Sequence, residues 1–266
     1  MEKKALPTLS NIDIGYIIQS VRLIRIRYIA PVFLLTLLWL PIISIAQSRD
    51  GSMLWTHLYL QGKISEKWHL NADASLRFRD PVDYLNILLL RIGVHYKPSK
   101  YIEYTGGYAY TNAYPLPISA SLIKAEHRIW EQFAIEYNKG KWMLWYRLRP
   151  EQQWFDDMQS TFRLRLRNLA GLSFSIYKNE QWEWKSEIYN EIFPARDNHN
   201  DYNFTDQNRI YAGLYLEWFK KLGFSAGYQH NYFPGRTGKS AYTLHQLRLH
   251  LKYKFNLGAT LSAQKE

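Results

Sequence analysis

From Trp55 to Phe255 polar and apolar positions alternate with a period of two, and single stretches hold the alternation for a dozen residues. In 66–79, Trp68, Leu70, Ala72, Ala74, Leu76 and Phe78 share one face, while His69, Asn71, Asp73, Ser75, Arg77 and Arg79 share the other. The split recurs at 162–177, where Leu164, Leu166, Ala170, Leu172, Phe174 and Ile176 oppose Arg163, Arg165, Arg167, Gly171, Ser173 and Ser175. Near the end, Leu247, Leu249, Leu251, Tyr253 and Phe255 oppose Gln246, Arg248, His250, Lys252 and Lys254. This period predicts strands over 53–62, 66–79, 86–97, 101–112, 122–137, 141–154, 162–177, 181–193, 207–219, 222–233 and 242–255. Most are longer than the strands of a soluble sandwich.

The connections alternate in length. Short ones fall at 63–65, 98–100, 138–140, 178–180 and 220–221; long ones follow residues 79, 112, 154, 193 and 233 and hold Pro81, Pro115, Pro117, Pro194 and Pro234. Long antiparallel strands joined alternately by tight and large connections predict an all-β, antiparallel transmembrane β-barrel of about 10–12 strands. Its short turns would be periplasmic and its longer loops extracellular. An even strand number is expected, so the segment 53–62 calls for a further partner, from residues 47–52 or 257–266, or serves as a tucked amino-terminal element.

The aromatic residues sort by turn class. Trp68, Tyr96, Tyr101, Tyr137, Trp142, Tyr177, Trp182 and Trp218 lie near the short turns, and Phe78, Tyr84, Tyr110, Phe162, Phe193 and Tyr232 lie near the long loops. Rings with one polar atom settle at a membrane–water boundary, so the first set is expected to form a periplasmic girdle and the second an outer one.

Ahead of the strands, the apolar run 29–46 follows Arg22, Arg25 and Arg27 and ends in Ser44-Ile45-Ala46. That pattern reads as a secretory leader over 1–46 with the barrel domain at 47–266; a retained membrane anchor is the alternative. Removing it takes five basic and two acidic side chains from totals of 34 and 23, so the remainder stays basic. Export and the strand pattern predict the cell outer membrane as the location, with outer-membrane lipid and the barrel-assembly machinery as partners and a monomer as the default state.

Composition narrows the rest. The 266-residue chain has no cysteine, which excludes a disulfide or zinc–thiolate scaffold, and its mean hydropathy of −0.38 excludes a multi-helix membrane protein. Charge on a lipid-facing strand position costs roughly 2–4 kcal/mol for Arg at the bilayer midplane, so the alternation directs the charged face to the lumen. The lumen set is Arg77, Arg79, Glu126, Arg128, Arg147, Arg149, Glu151, Arg163, Arg165, Arg167, Glu191 and Arg209, with Arg91, Arg248, Asp73, Glu103, Glu183, Glu187 and Glu217 on the same faces. Such a set serves either as an interior ion-pair network that fills a narrow barrel or as a basic path for small anionic solutes.

No catalytic constellation stands out. An outer-membrane acyl hydrolase needs a Ser–His pair, and the serines nearest His230 are Ser225 and Ser240, neither well placed by strand spacing. His127, His245 and His250 are scattered, and Asp197, His199 and Asp201 form a weak oxygen/nitrogen group in one loop. No metal, cofactor or nucleic acid is expected. The rivals to a structural barrel or narrow anion-preferring channel are an outer-membrane lipid-modifying enzyme and a soluble periplasmic β-barrel binding protein.

Several blocks recur in a familiar order: Leu54-Trp55-Thr56, Lys67-Trp68, Leu76-Arg77-Phe78-Arg79, Glu126-His127-Arg128, Arg147-Leu148-Arg149-Pro150-Glu151-Gln152, Arg163-Leu164-Arg165-Leu166-Arg167, Asn190-Glu191-Ile192-Phe193 and Gln207-Asn208-Arg209-Ile210-Tyr211-Ala212-Gly213. Over 53–255 this order resembles the DUF2490 family of bacterial proteins. The resemblance implies a secreted outer-membrane β-barrel with no assigned activity and no catalytic residues to carry over. Where the family's pattern runs Arg-x-Arg-x-Glu-Gln, this chain has Pro150 between Arg149 and Glu151, which is expected to disturb the strand ladder there. The eleven residues after Phe255 depart from barrels that end on an aromatic residue.

Overall fold

The computed structural model describes residues 51–80, 82–114, 124–156, 161–197, 202–234 and 241–258. The expected leader over 1–46, with Pro81, Pro115, Pro117, His199, Asp201 and Ser240, lies outside the described residues.

Among the described residues eleven strands form: β1 Gly51–Lys63, β2 Trp68–Arg79, β3 Tyr84–Tyr96, β4 Ile102–Ala113, β5 Lys124–Lys139, β6 Trp142–Asp156, β7 Phe162–Lys178, β8 Trp182–Asp197, β9 Tyr202–Trp218, β10 Leu222–Phe233 and β11 Tyr242–Asn256. Each pairs antiparallel with its sequence neighbours, and the sheet closes on itself through β1 and β11. That last pair is parallel, with Gly51 beside Leu244 and Lys63 beside Asn256. The expectation that 53–62 needs another partner is therefore corrected: β1 bonds to β2 on one side and β11 on the other. An odd number of alternating strands leaves the first and last running the same way, and a parallel ladder accepts that geometry.

The distribution of polarity is inverted relative to a water-soluble protein. Leu90, Ile92, Val94, Leu144, Leu164, Leu214 and Leu247 are all exposed on the outside, whereas Ser75, Glu151, Gln153, Glu191, Gln229 and Asn231 are almost wholly buried inside. An apolar exterior around a polar interior suits a wall solvated by lipid. At the short-turn rim, Trp68 packs on Tyr96 at 4.7 Å, Trp142 on Phe174 at 4.7 Å, and Trp182 stacks on Trp218 at 5.6 Å. All three are direct cross-strand partners, the unit by which neighbouring strands stabilise each other. Tyr137 and Tyr177 stand exposed on the same rim.

Two prolines lie within strands: Pro150 disturbs its ladder on one side, as expected, and Pro194 departs from the loop expected for it. Pro150 does not interrupt β6: it pairs with Leu166 of β7, while the β5 side skips the two positions between Trp130/Glu151 and Phe133/Leu148. A residue with no N–H leaves one side of its ladder unmade and keeps the other. Pro194, expected in a loop, sits within β8 at a register shift between Phe193 and Ala195, and β8 and β9 extend beyond it. A bulge accommodates the missing donor.

Inside the barrel, rings lie flat over glycines. A Cβ at Gly107 would fall 2.4 Å from the Ile92 carbonyl oxygen and 2.6 Å from the Trp130 ring; one at Gly227 would fall 2.6 Å from both the Ala212 oxygen and the Tyr211 ring. The absent side chains give Trp130 and Tyr211 their seats, as aromatic residues do over cross-strand glycines. Trp130 with Leu89 and Ala109 forms a small apolar cluster within the otherwise polar lumen.

Candidate lumen site

The inward residues of β5 to β9 meet in one charged layer. Arg128 donates from Nε to Glu126 at 2.7 Å and lies 3.4 Å from Glu151. Glu151 also accepts from Arg165 Nε at 2.8 Å and from Arg167 Nη1 at 3.2 Å. Arg167 makes a two-pronged contact with Glu191, Nε to Oε1 at 2.9 Å and Nη2 to Oε2 at 3.0 Å, while Arg147 pairs with the same carboxylate and Arg209 approaches it at 3.6 Å. Two carboxylates thus serve five guanidiniums, with Glu126 as a third and Gln153 donating to it at 2.8 Å. The planar fork of arginine allows such sharing, because each guanidinium presents five donors. The Glu151 side chain is fully shielded from solvent.

The remaining predicted lumen residues lie around this layer. Arg163 pairs with Asp206 toward the long loops. Arg149 donates to Gln132 at 3.0 Å and rests 4.5 Å from the centre of the Trp130 ring. Arg77 lies 3.9 Å over Trp55, and Arg79 lines the same cavity.

A second polar group occupies the half nearer the short turns. Arg91 donates from Nε to both oxygens of Asp73 at 2.9 Å, and His57 Nε2 lies 3.0 Å from Asp73. His95 and Lys97 share Glu103 at 2.6 and 2.8 Å, and the His57 ring stacks on His250 at 4.6 Å. His57 and His95 are not among the lumen residues expected from the sequence, and Trp55 enters there within the Leu54-Trp55-Thr56 block, although each keeps the inward parity of its strand.

Phe193, expected in the outer aromatic band, is a correction. It is wholly buried in the lumen, with Arg167 at 5.0 Å and Arg209 at 4.4 Å from its ring centre. It stands two residues after inward-facing Glu191, and side chains two apart on a strand share a face.

The sequence matches the model of a family described as "Protein of unknown function (DUF2490)" over residues 52–243. The chain belongs to the DUF2490 family. No curated protein matches it. Among solved structures, LpxR from Salmonella typhimurium is similar at 8% identity and a TM-score of 0.44, over 70% of this chain and 83% of that one.

In this DUF2490 chain the histidines considered for catalysis are dispersed. His127 faces outward, 2.5 Å from the Tyr108 hydroxyl, and His245 faces outward, 2.5 Å from that of Tyr228. His230 pairs across the ladder with His245, but Ser225 is buried on the opposite face of β10, so the two do not meet. Among the described residues no group of three or more His, Asp or Glu could hold a metal ion.

A cavity of about 570 Å³ runs along the lumen. It is lined by ten arginines and Lys252 against Asp73, Glu103, Glu126 and Glu191. The buried polar atoms without a partner include the Nε of Arg77, Arg79, Arg147, Arg209 and Arg248 and the indole nitrogen of Trp130. All six are donors. A lumen with surplus donors and surplus positive charge is suited to acceptor-rich anions.

Proposed function

We propose that the protein is an outer-membrane β-barrel whose lumen is a narrow, anion-preferring passage. The excess of cavity-lining cations over carboxylates carries this reading. Rings of arginine select anions because a desolvated anion exchanges its water shell for fixed guanidinium donors. Placement in the outer membrane is supported by the apolar exterior, the alternation of short turns with long loops, and the aromatic rim at the short turns.

The deciding experiment is single-channel recording of the refolded chain in a planar bilayer, with reversal potentials in asymmetric potassium chloride. Steady openings with an anion-directed reversal potential support the passage. A second reading, a barrel whose charges brace its wall and close its bore, rests on the complete shielding of the Glu151 side chain within the arginine layer. Under that reading the chain migrates as a heat-modifiable barrel and stays electrically silent. Extraction by alkaline carbonate without detergent would overturn the membrane placement itself.

A further inference from the structure

Trp55 sits on β1 at the parallel seam, with Arg77 directly beside it on β2 and Arg248 directly beside it on β11. Their guanidinium carbons lie 3.9 and 5.0 Å from the indole centre, and Arg209 reaches over from β9 to 5.4 Å. Three guanidiniums therefore converge on one ring. Arg209 reaches a carboxylate only at 3.6 Å, one that Arg147 and Arg167 already share. Arg77 and Arg248 have no carboxylate partner among the described residues; Arg248 meets the Tyr189 hydroxyl instead. The Nε of all three is buried without an acceptor, and Arg209 is 7% exposed.

Like charges this close repel strongly in a low-dielectric interior, and one indole ring compensates for only part of that repulsion. The missing component is negative charge carried on several oxygens that point in different directions. A carboxylate offers two acceptors in one plane and matches one fork; a tetrahedral oxyanion offers enough edges for three. The serine at the rear of the site is already engaged, since Trp55 donates its indole N–H to Ser75.

We propose that Arg77, Arg209 and Arg248, converging on Trp55, form a binding site for a tetrahedral oxyanion of the phosphate class. The site rests on the reading of the lumen as an anion passage and names the solute that passage holds most tightly. Free inorganic phosphate and a phosphomonoester share the recognised group, and glycerol 3-phosphate tests whether the cavity admits the larger solute.

The test is isothermal titration calorimetry of the refolded full chain in detergent, with inorganic phosphate as ligand and chloride keeping ionic strength constant. Saturable one-site binding is expected, weakened at least tenfold in Arg77→Met/Arg248→Met. Because that double variant alters the seam, Arg77→Lys/Arg248→Lys is measured beside it: charge is kept, the fork is lost, and a weakening of about threefold to tenfold is expected. Equal phosphate affinity in the wild type and both variants, or no saturable binding to a correctly folded wild type, overturns the site. Binding by a barrel that conducts no current keeps the site and removes the passage. Anion-selective current unaffected by phosphate, with no binding, does the reverse.

Discussion

The layer around Glu151 and the group around Trp55 are built from the same residue, yet they handle charge in opposite ways. At Glu151, Arg128, Arg165 and Arg167 each have a carboxylate within 3.4 Å, and the acid is sealed from water. At Trp55, Arg77 and Arg248 rest on a ring and lack any acid among the described residues. A matched cluster gains its Coulomb energy within the protein and is inert toward solutes, whereas an unmatched one leaves that energy to be gained from a ligand. Both groups line one cavity, and they differ in that the first has its charge answered within the protein and the second does not.

The largest effect is expected from Glu151→Leu. It leaves Arg165 without a carboxylate and takes from Arg128 and Arg167 one of their two, and removing one partner from a buried ion-paired group costs about 3–5 kcal/mol. The urea midpoint of the refolded barrel should fall accordingly, with early loss of the heat-resistant band on a gel. A midpoint equal to that of the wild type would mean the layer does not brace the wall.

Next comes a contrast between two arginines of the same strand alternation. Arg165→Met removes a charge-assisted donor pair to Glu151 and should cost about 1.5–3 kcal/mol. Arg149→Met gives up only a glutamine contact and a ring contact, and should cost about 1 kcal/mol. Ion selectivity should rank them the other way, because Arg149 contributes charge that no acid among the described residues pairs with. The two rankings are read from denaturation curves and reversal potentials on the same preparations.

That contrast marks what was legible before the structure. The strands were readable because the two-residue period persists through each wall segment, and the lumen face followed because lipid tolerates little charge. Phe193 was readable too: the parity that turned Glu191 inward also turned Phe193 inward, but its nearness to a long loop suggested a rim residue. What periodicity does not encode is which distant strands meet. The parallel β1–β11 seam joins residues almost two hundred positions apart, so neither closure nor the convergence on Trp55 could be derived from local spacing. Nor does the pattern distinguish Arg165 from Arg149, since partner choice depends on register between neighbouring strands.

The ring side of the comparison can be probed through its seat. Gly107→Ala places a methyl group 2.4 Å from the Ile92 carbonyl oxygen and 2.6 Å from the Trp130 ring, and backbone has little freedom to yield. A loss of about 1–3 kcal/mol is expected from overpacking. Arg149, resting on that ring, should be displaced with it. The same substitution at Gly106, whose Cβ would meet nothing within 4 Å, should leave the melting temperature unchanged and serves as the control.

The smallest stability change, and the sharpest division between the two clusters, is expected from Arg77→Met. Removing a buried charge that lacks a partner relieves repulsion with Arg209 and Arg248 around Trp55 while giving up one ring contact of about 0.5–2 kcal/mol. In chloride buffer the two terms offset, so the urea midpoint should stay level or rise slightly, as when buried charges are replaced by apolar residues of similar size. Adding phosphate should reverse the order. An anion that binds only the folded barrel raises its stability in proportion to the logarithm of its occupancy, and the variant that has lost a fork gains less. A wild type and an Arg77→Met barrel that respond equally to phosphate would show the Trp55 group to be as self-contained as the Glu151 layer, and the distinction between them would disappear.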